Sequence, residues 1–460
     1  MKKTFRFLSM AALLVVGAIM TGCSSDDNID NSQQPANKDN VVTLTATVSL
    51  DGGAQTRAIT PSTGAKTFES GNQIAVIYKN TSSQTVKAVS TDFTPTGDNT
   101  KATFTVTLTN PASGSAVRYI YPSTMAKDVA EGATITDDDA TIDYTGLLSN
   151  QNGDLTKLGT NYDLAKFDGS LSGTDLPASA SLENPLAICK FTLTDGTSPI
   201  TSSVTSLNVS DGTNTYHVTP SGLSEIYVAM KPVASQKIAF TAATGSKTYF
   251  KTTASAQTLT ASTLYTKITV SMVELARGSV ICSDGSVYAS KDAAKSASKT
   301  PVAMIAYLGS DNGEAAPYNH GLALAMSDAG SDSYLKWSTS NTKIHTYNPT
   351  SSSFTSESGL QYNTTHNSDT YPAFMAAIAN NGTAAPTGCS AWFLASGYQW
   401  TKMFAGDAGG LKTLAGLQSD FYWSSTEYYA GHAWLFYSDD GDWDDVNKDD
   451  ANLVRSCLAF

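Results

Sequence analysis

Residues 42–50 read VTLTATVSL, with Val42, Leu44, Ala46, Val48 and Leu50 on one side of the alternation and only Thr and Ser on the other. A pleated strand sends successive side chains to opposite faces, so this rhythm belongs to a strand with one face buried and one face wet. Phe104, Val106 and Leu108 repeat it, and so do Leu264, Ile268, Val270 and Met272. Gly, Asn, Asp and Pro gather between the runs, where turns need them. No long segment of helical period interrupts residues 41–275. The pattern predicts half-buried antiparallel strands, and the length fits two β-sandwich domains in series, 41–140 and 141–275, with the boundary between 126 and 150.

The composition changes at Arg277. GSVICSDGSVYAS predicts a hairpin turning at Asp284-Gly285, and PVAMIAYLG and GLALAMSD are further apolar runs. Helices then enter. YPAFMAAIANNG carries Pro372 near its start, Phe374 and Ile378 four apart, and Gly382 past its end. Ser396 and Gln399 stand at capping-box spacing ahead of Trp400, Met403 and Phe404. Strands return in HAWLFYS, a turn at Asp440-Gly441, and NLVRSCLAF. Residues 277–460 are therefore expected to form an α+β domain.

The first residues precede the fold. Lys2, Lys3 and Arg6 lead into LSMAALLVVGAIM, an apolar run too short for a comfortable membrane span. It ends at Met20-Thr21-Gly22-Cys23, which resembles a bacterial lipobox, although Met20 stands where Leu is usual. The resemblance implies cleavage of 1–22 and acylation of Cys23; an ordinary secretory cleavage is the alternative. Residues 23–40 have no aromatic ring and predict a flexible acidic tether, and the pair Asp26-Asp27 resembles the signal that sends lipoproteins of certain gut anaerobes to the outer face of the outer membrane. No later segment is long and apolar enough to span a bilayer. Formal net charge is −12. Removal of three leader cations would take the mature chain to about −15, a field that repels phosphate backbones and argues against a nucleic-acid partner.

Cys189, Cys282, Cys389 and Cys457 follow Cys23 without CxxC spacing, which argues against zinc. Cys189, in the apolar run LAICKFTL, is expected to be a buried free thiol. The five histidines do not cluster at ligand spacing, and His320 beside Gly321 suits a core or loop position. There is no GxSxG elbow, HExxH, phosphate loop or dinucleotide glycine fingerprint, so no enzyme and no cofactor is expected. Asp439, Asp440, Asp442, Asp444, Asp445, Asp449 and Asp450 follow one another around the last hairpin. They suit either a solvated acidic rim or a calcium loop, and EF-hand spacing is absent.

QTRA, with Arg57 as its third residue, TFESGNQIAVIY, ATFTVTL, YIYPS, QNGDLTKLGTNYDL, LAICKFTL and LYTKITVSM occur in that order. Together they resemble the fimbrillin family, pilus subunits made from lipoprotein precursors. The resemblance implies two transthyretin-like sandwiches and a protease cut after Arg57. It also implies loss of the first strand and insertion of a neighbouring subunit's strand into the groove left behind.

VICSDGSVYAS, HGLALAMSD, WFLASGYQW, YWSSTE and VRSCLAF resemble C-type-lectin-like domains of surface lipoproteins across 278–460, with Ala395 where Pro is common. In such domains YWSSTE is architectural. Trp423 is expected to begin a buried strand, and Glu427 to need an ionic partner, for which Arg455 is the candidate. Trp434, Phe436 and Leu458 are expected in the core. First and last strands of that fold commonly pair, which would make Cys282 and Cys457 neighbours; Cys389 with Cys457 is the alternative. The triplets of calcium-dependent sugar-binding lectins are missing. Tyr428, Tyr429, Tyr437 and Trp443 are the rings that would stack on a sugar, with Asp442 and Asp444 accepting its hydroxyls. Trp443 is either such a ring or one folded back onto the domain.

These features lead to a surface-exposed fimbrial subunit, lipid-anchored at the outer membrane, whose C-terminal domain binds glycan or protein. LYTKITVSM runs through VELARG straight into that domain, so it is not free to be donated. A subunit that receives a strand and gives none sits at the tip. A surface lipoprotein that never polymerises is the competing expectation.

Overall fold

The computed structural model describes residues 39–50, 68–96, 99–196, 198–331, 333–344, 354–405 and 407–460. The expected leader, Cys23, most of the tether and Arg57 lie outside them. The described chain is mainly β.

The first sandwich contains β1 (Val41–Leu50), β2 (Ala75–Lys79), β3 (Thr85–Val89), β4 (Thr94–Thr96), β5 (Lys101–Thr109), β6 (Ala116–Tyr121), β7 (Ala165–Ser170) and β8 (Ser179–Leu182). One sheet has the order β4-β5-β1-β8, the other β3-β2-β6-β7. β1 runs antiparallel to β5 from Val41↔Thr109 to Ser49↔Lys101 and parallel to β8 from Thr47↔Ser179 to Leu50↔Leu182. Its inward residues Ala46, Val48 and Leu50 are buried against Phe104, Val106 and Leu108, while Val42 and Leu44 are only half covered. On the wet face Thr43 and Thr107 pair their hydroxyls at 3.1 Å, and Thr45 and Thr105 at 3.2 Å.

The chain does not pass once from the first sandwich to the second. After β6 it forms three short helices, α1 (Asp138–Thr141), α2 (Thr145–Ser149) and α3 (Leu155–Asn161); Ile142, which caps α1, Leu147 and Leu158 enter the core of the second sandwich. It then returns, and β7 pairs with β6 and β8 with β1. Residues 165–182, expected in the second unit, thus complete the first. Ala75, Ile77 and Ile120 project from the back of β2 and β6 into the same helical layer, so that sheet is buried on both faces. Arg118 of β6, with no exposure, clamps this layer. Its guanidinium meets Asp168 at 2.6 Å, Thr141 at 2.7 Å, Asp138 at 2.8 Å and the Thr136 carbonyl at 2.8 Å.

The second sandwich follows with β9 (Ala187–Asp195), β10 (Ser198–Pro199), β11 (Ser206–Ser210), β12 (Thr215–Val218), β13 (Ile226–Met230), β14 (Val233–Gln236), β15 (Ala239–Ala243), β16 (Thr248–Thr252), β17 (Gln257–Leu259) and β18 (Thr263–Glu274). The path β10-β9-β18-β16-β15-β11-β12, with β13 also on β9, folds around one core that includes Phe191, Phe240 and the buried free thiol Cys189. β18 lies parallel to β9 from Thr263↔Ala187 to Met272↔Asp195, irregular between Tyr265 and Ile268, and its last residues reach β16.

The C-terminal unit contains β19 (Val280–Cys282), β20 (Val287–Tyr288), α4 (Lys291–Ser296), β21 (Pro301–Leu308), β22 (Gly321–Ala325), β23 (Leu335–Lys336), α5 (Gly359–Thr365), α6 (Pro372–Ala379), β24 (Phe393–Leu394), α7 (Gly397–Phe404), α8 (Ala408–Ala415), β25 (Phe421–Tyr429), β26 (His432–Tyr437), β27 (Trp443–Asn447), β28 (Ala451–Asn452) and β29 (Ser456–Ala459). The order β20-β19-β21-β22-β29-β24 makes its main sheet, and β25-β26-β27 a second. The hairpin turn at Asp284-Gly285 is present, with Gly285 at φ +84°. So is the capping box: the Ser396 hydroxyl accepts from the Gln399 amide and the Gln399 side chain accepts from the Ser396 amide. α4, α5 and α8 carry no sequence expectation. One face of the main sheet packs on α7, α8 and the second sheet. The other packs, through Ile281, Ala303, Ile305, Leu458 and Phe460, on Ala239, Phe250 and Leu275 of the second sandwich. The C-terminal unit is thus docked by an apolar face.

Candidate ligand-binding face of the C-terminal unit

β25 and β26 pair antiparallel, with Trp423 opposite Leu435 and Glu427 opposite Ala433, and β27 adds outside β26 with Trp443 opposite Phe436. From Tyr422 to Glu427 every residue of β25 is buried, including Trp423, Ser424 and Ser425. The Trp423 indole N–H donates to the Leu335 carbonyl at 2.7 Å, and the Ser424 hydroxyl to the Trp434 carbonyl at 2.8 Å. Trp434, Phe436 and Leu458 are likewise buried.

The expected Glu427–Arg455 pair does not form. Glu427 bonds Lys448, and both side chains have zero exposure. The Ile344 amide donates to the same carboxylate at 2.9 and 3.1 Å, and Lys448 also donates to the Thr342 carbonyl at 3.1 Å while lying over the Trp337 ring at 4.7 Å. Arg455 points elsewhere. It meets Asp328 at 2.6 Å and caps the end of α8 through the carbonyls of Ala415 and Gly416 at 3.1 and 3.2 Å. A guanidinium has enough donors to serve a carboxylate and helix-end carbonyls together, whereas the ammonium of Lys448 suits the compact site by Glu427.

The expected Cys282–Cys457 bridge is also absent: all four described cysteines are free. Strands β21 and β22 lie between β19 and β29. Three strand spacings are roughly 14 Å, twice what a disulfide spans. The alternative Cys389–Cys457 bridge does not form either.

The rings divide into two groups. Tyr429, Tyr428, Trp434, Phe354 and Trp443 form a continuous run with centroid separations of 5.1, 4.9, 5.7 and 4.5 Å in that order. Tyr429 is 40% exposed and stacks on His432 at 4.5 Å, whose Nδ1 meets Asp445 at 2.8 Å. Trp443 is half-buried, with Phe436 at 6.0 Å and Phe404 at 6.3 Å behind it. Tyr437 stands apart, 5.0 Å from the exposed Phe421. Phe354 was not foreseen, and nothing around it in the sequence marks it. Its ring lies over Gly397 at the start of α7, where a Cβ would come within 2.7 Å of it.

Asp442 and Asp444 are exposed and flank Trp443 in the chain. Asp440 accepts from the Asp442 amide at 3.0 Å, Asp444 from the Asp445 amide at 2.9 Å, and Asp439 bonds Lys412. Among the described residues no three or more His, Cys, Asp or Glu side chains stand close enough to share a metal ion. Near the ring run lies one unusual acid. Glu357 is 6% exposed, accepts one bond from Thr426 at 2.7 Å, and leaves its other oxygen without a partner; burial pushes its carboxyl up to about 7. Burial, with Glu357 and Glu427 nearby, holds the Tyr362 phenol up at about 12.

No protein-family model matches this chain, and no curated protein matches it. Solved structures do. One is a fimbrial protein from Bacteroides ovatus, 14% identical over 92% of this chain and 100% of that one, with a TM-score of 0.35. Another is the tip fimbrial protein Mfa3 from Porphyromonas gingivalis with a C-terminal truncation, 9% identical over 46% of this chain and 81% of that one, TM-score 0.23. A fimbrial assembly protein from Parabacteroides distasonis is 9% identical over 48% of this chain and 89% of that one, TM-score 0.27.

Proposed function

We propose that this chain is a cell-surface fimbrial subunit that terminates a pilus, with its lectin-like C-terminal unit as the adhesive head. The carrying observation is the seat of β18. It is paired along β9, reaches β16 at its end, and continues through the buried Leu275 into the docked head. A strand held this way is unavailable for donation. β1, by contrast, is one removable strand between β5 and β8. Its loss after a cut at Arg57 would uncover the pockets of Ala46, Val48 and Leu50, and a partner's alternating strand would pair with both edges. Acylation at Cys23 would tether the precursor to the outer membrane. The run from Tyr429 to Trp443 is the face offered to a glycan or protein ligand, with Asp442 and Asp444 at its edge.

The test is assembly. The chain cut at Arg57, mixed with shaft subunits, is expected to appear once per fibre end in immunogold micrographs, and label along the shaft would overturn the reading. A non-polymerising lipoprotein is the second reading, favoured by the pairing of β1 on both of its edges within its own sandwich. It predicts that surface protein keeps residues 41–50 uncut.

A further inference from the structure

One amide joins three elements at the edge of the head's docking face. Asn208 of β11 is buried, and its Nδ2 donates to the Pro317 carbonyl and to Nδ1 of His320, the latter at 3.2 Å. Its Oδ1 accepts from Nδ1 of His217, its neighbour across β12, at 2.7 Å. His320, also buried, belongs to the head, and its Nε2 donates to the Ser206 hydroxyl at 2.8 Å. The His320 amide donates to the Phe460 carbonyl at 2.7 Å, which fixes the ring's root in the head's sheet.

The protonation states follow from the partners. A carbonyl only accepts, so Pro317 fixes which end of the Asn208 amide is nitrogen. His320 Nδ1 must then accept and carry no proton. His217 must carry its proton on Nδ1. A second proton on His320 would set N–H against N–H at Asn208, opposed only in part by the Pro317 carbonyl, which favours the protonated ring; turning the amide over would set its oxygen against that carbonyl. Among the described residues no carboxylate acts on the ring. On the packed elements Glu274 pairs with Lys247, Asp311 with Lys402, and Glu314 takes bonds from Ser358, Leu360 and Gln399. Tyr318 adds a phenol held above its ordinary range by burial, and His217 a second imidazole.

We propose that Ser206, Asn208, His217 and His320 form a proton-sensitive latch, which fixes this edge of the head to the second sandwich near neutral pH and releases it in acid. A polar cleft of about 400 Å³, lined by Ser206, Lys247, Glu274, Asn319 and His320, opens beside the latch and gives the released ring access to water. Burial, with His217 beside it, lowers His320 to about 4 in the closed latch. The closed state prefers the neutral ring, so its strength is full above the ordinary histidine value of about 6.5 and is lost as pH falls from there toward the closed-state value. Between pH 7 and pH 5 the closing equilibrium should weaken about 20-fold. The apolar contacts of Phe250, Leu275, Trp392 and Phe460 do not titrate, so the head stays attached while this edge opens.

Hydrogen exchange on the full-length chain at pH 7 and pH 5, corrected for intrinsic exchange, tests this. Peptides covering 206–218 and 316–322 should lose protection about 20-fold in acid, while 301–308 and 456–459 keep theirs, and His320→Gln should abolish the difference. An equal loss in the variant, no loss in the natural chain, or a simultaneous loss across the head's sheet would overturn the latch. A check that needs no variant is the proton NMR titration of the histidine rings. One ring should titrate below about pH 5, and five rings all titrating between about pH 6 and 7 would overturn it equally.

Discussion

Glu427 and Lys448 bond each other where water does not reach, with neither side chain exposed, and the Trp337 ring roofs the ammonium at 4.7 Å. A buried pair of this kind offsets its own desolvation only while both members remain. Lys448→Met should therefore cost about 3–5 kcal/mol by stranding the carboxylate, and Glu427→Gln a similar amount by stranding the ammonium. The double variant Glu427→Gln/Lys448→Met should recover most of that loss. Chemical denaturation of the four proteins gives the coupling directly. Additive losses would mean that the two charges act independently.

The Arg118 clamp yields a second expectation. Its guanidinium ties β6 to Asp168 on the returning strand β7 and to Asp138 and Thr141 in the helical layer. Arg118→Lys keeps the charge but loses the fork that reaches several acceptors at once. It should destabilise the chain by about 2 kcal/mol, and Arg118→Ala by about 4 kcal/mol. The loss should appear in both sandwiches together in hydrogen exchange, because the clamped layer belongs to both cores. A loss confined to 41–121 would separate them.

The strands themselves were legible because a period of two depends only on neighbours along the chain. Val48, Phe104, Val106 and Leu108 face inward as the alternation requires. The capping box at Ser396 and the turn at Asp284-Gly285 were legible for the same reason, each being complete within a few residues. What was not legible is which strand pairs with which. Nothing in residues 165–182 distinguishes a strand that returns to β6 from one that begins a new sandwich. Ion-pair partners fail similarly: Arg455 and Lys448 are both cations near the end of the chain, and only the fold decides which one meets Glu427. The ring run was half visible. Tyr428, Tyr429 and Trp443 stood out by composition, but Phe354 joins them from a distant segment, and Tyr437 lies apart beside Phe421.

Glu357 predicts a pH effect of definite sign. Its carboxyl sits at about 7 in the folded chain against an ordinary 4.5. The folded state therefore holds the proton more tightly than the unfolded one. The stability this contributes is complete below the ordinary value and is lost as pH rises through about 7, a change of up to about 3 kcal/mol. Glu357→Gln keeps an acceptor for Thr426 and has no charge to bury. It should flatten stability between pH 5 and 8, and be the more stable protein at pH 8. Urea midpoints at four pH values across that range are the measurement. Parallel curves for the two proteins would show that Glu357 does not titrate there.

The ring run separates binding from packing because its two ends differ in burial. Tyr429 is exposed, and among the described residues its ring packs on those of Tyr428 and His432, so Tyr429→Ala should change stability by less than about 0.5 kcal/mol. Trp443 is packed against Phe354 and Phe436, and Trp443→Ala should cost about 2–3 kcal/mol as well as any ligand contact. If the face takes a pyranose by stacking, each change should weaken retention on a glycan array by about 10-fold, since one ring contact is worth about 1–1.5 kcal/mol. Tyr437→Ala, outside the run, should leave retention unchanged. Gly397→Ala provides a control from the other side of the contact: its methyl would displace the Phe354 ring from 2.7 Å and disorder the run without touching an exposed residue. Loss of retention in Tyr429→Ala and Gly397→Ala, with full retention in Tyr437→Ala, would locate the ligand on this face; the reverse pattern would move it to the Phe421–Tyr437 pair.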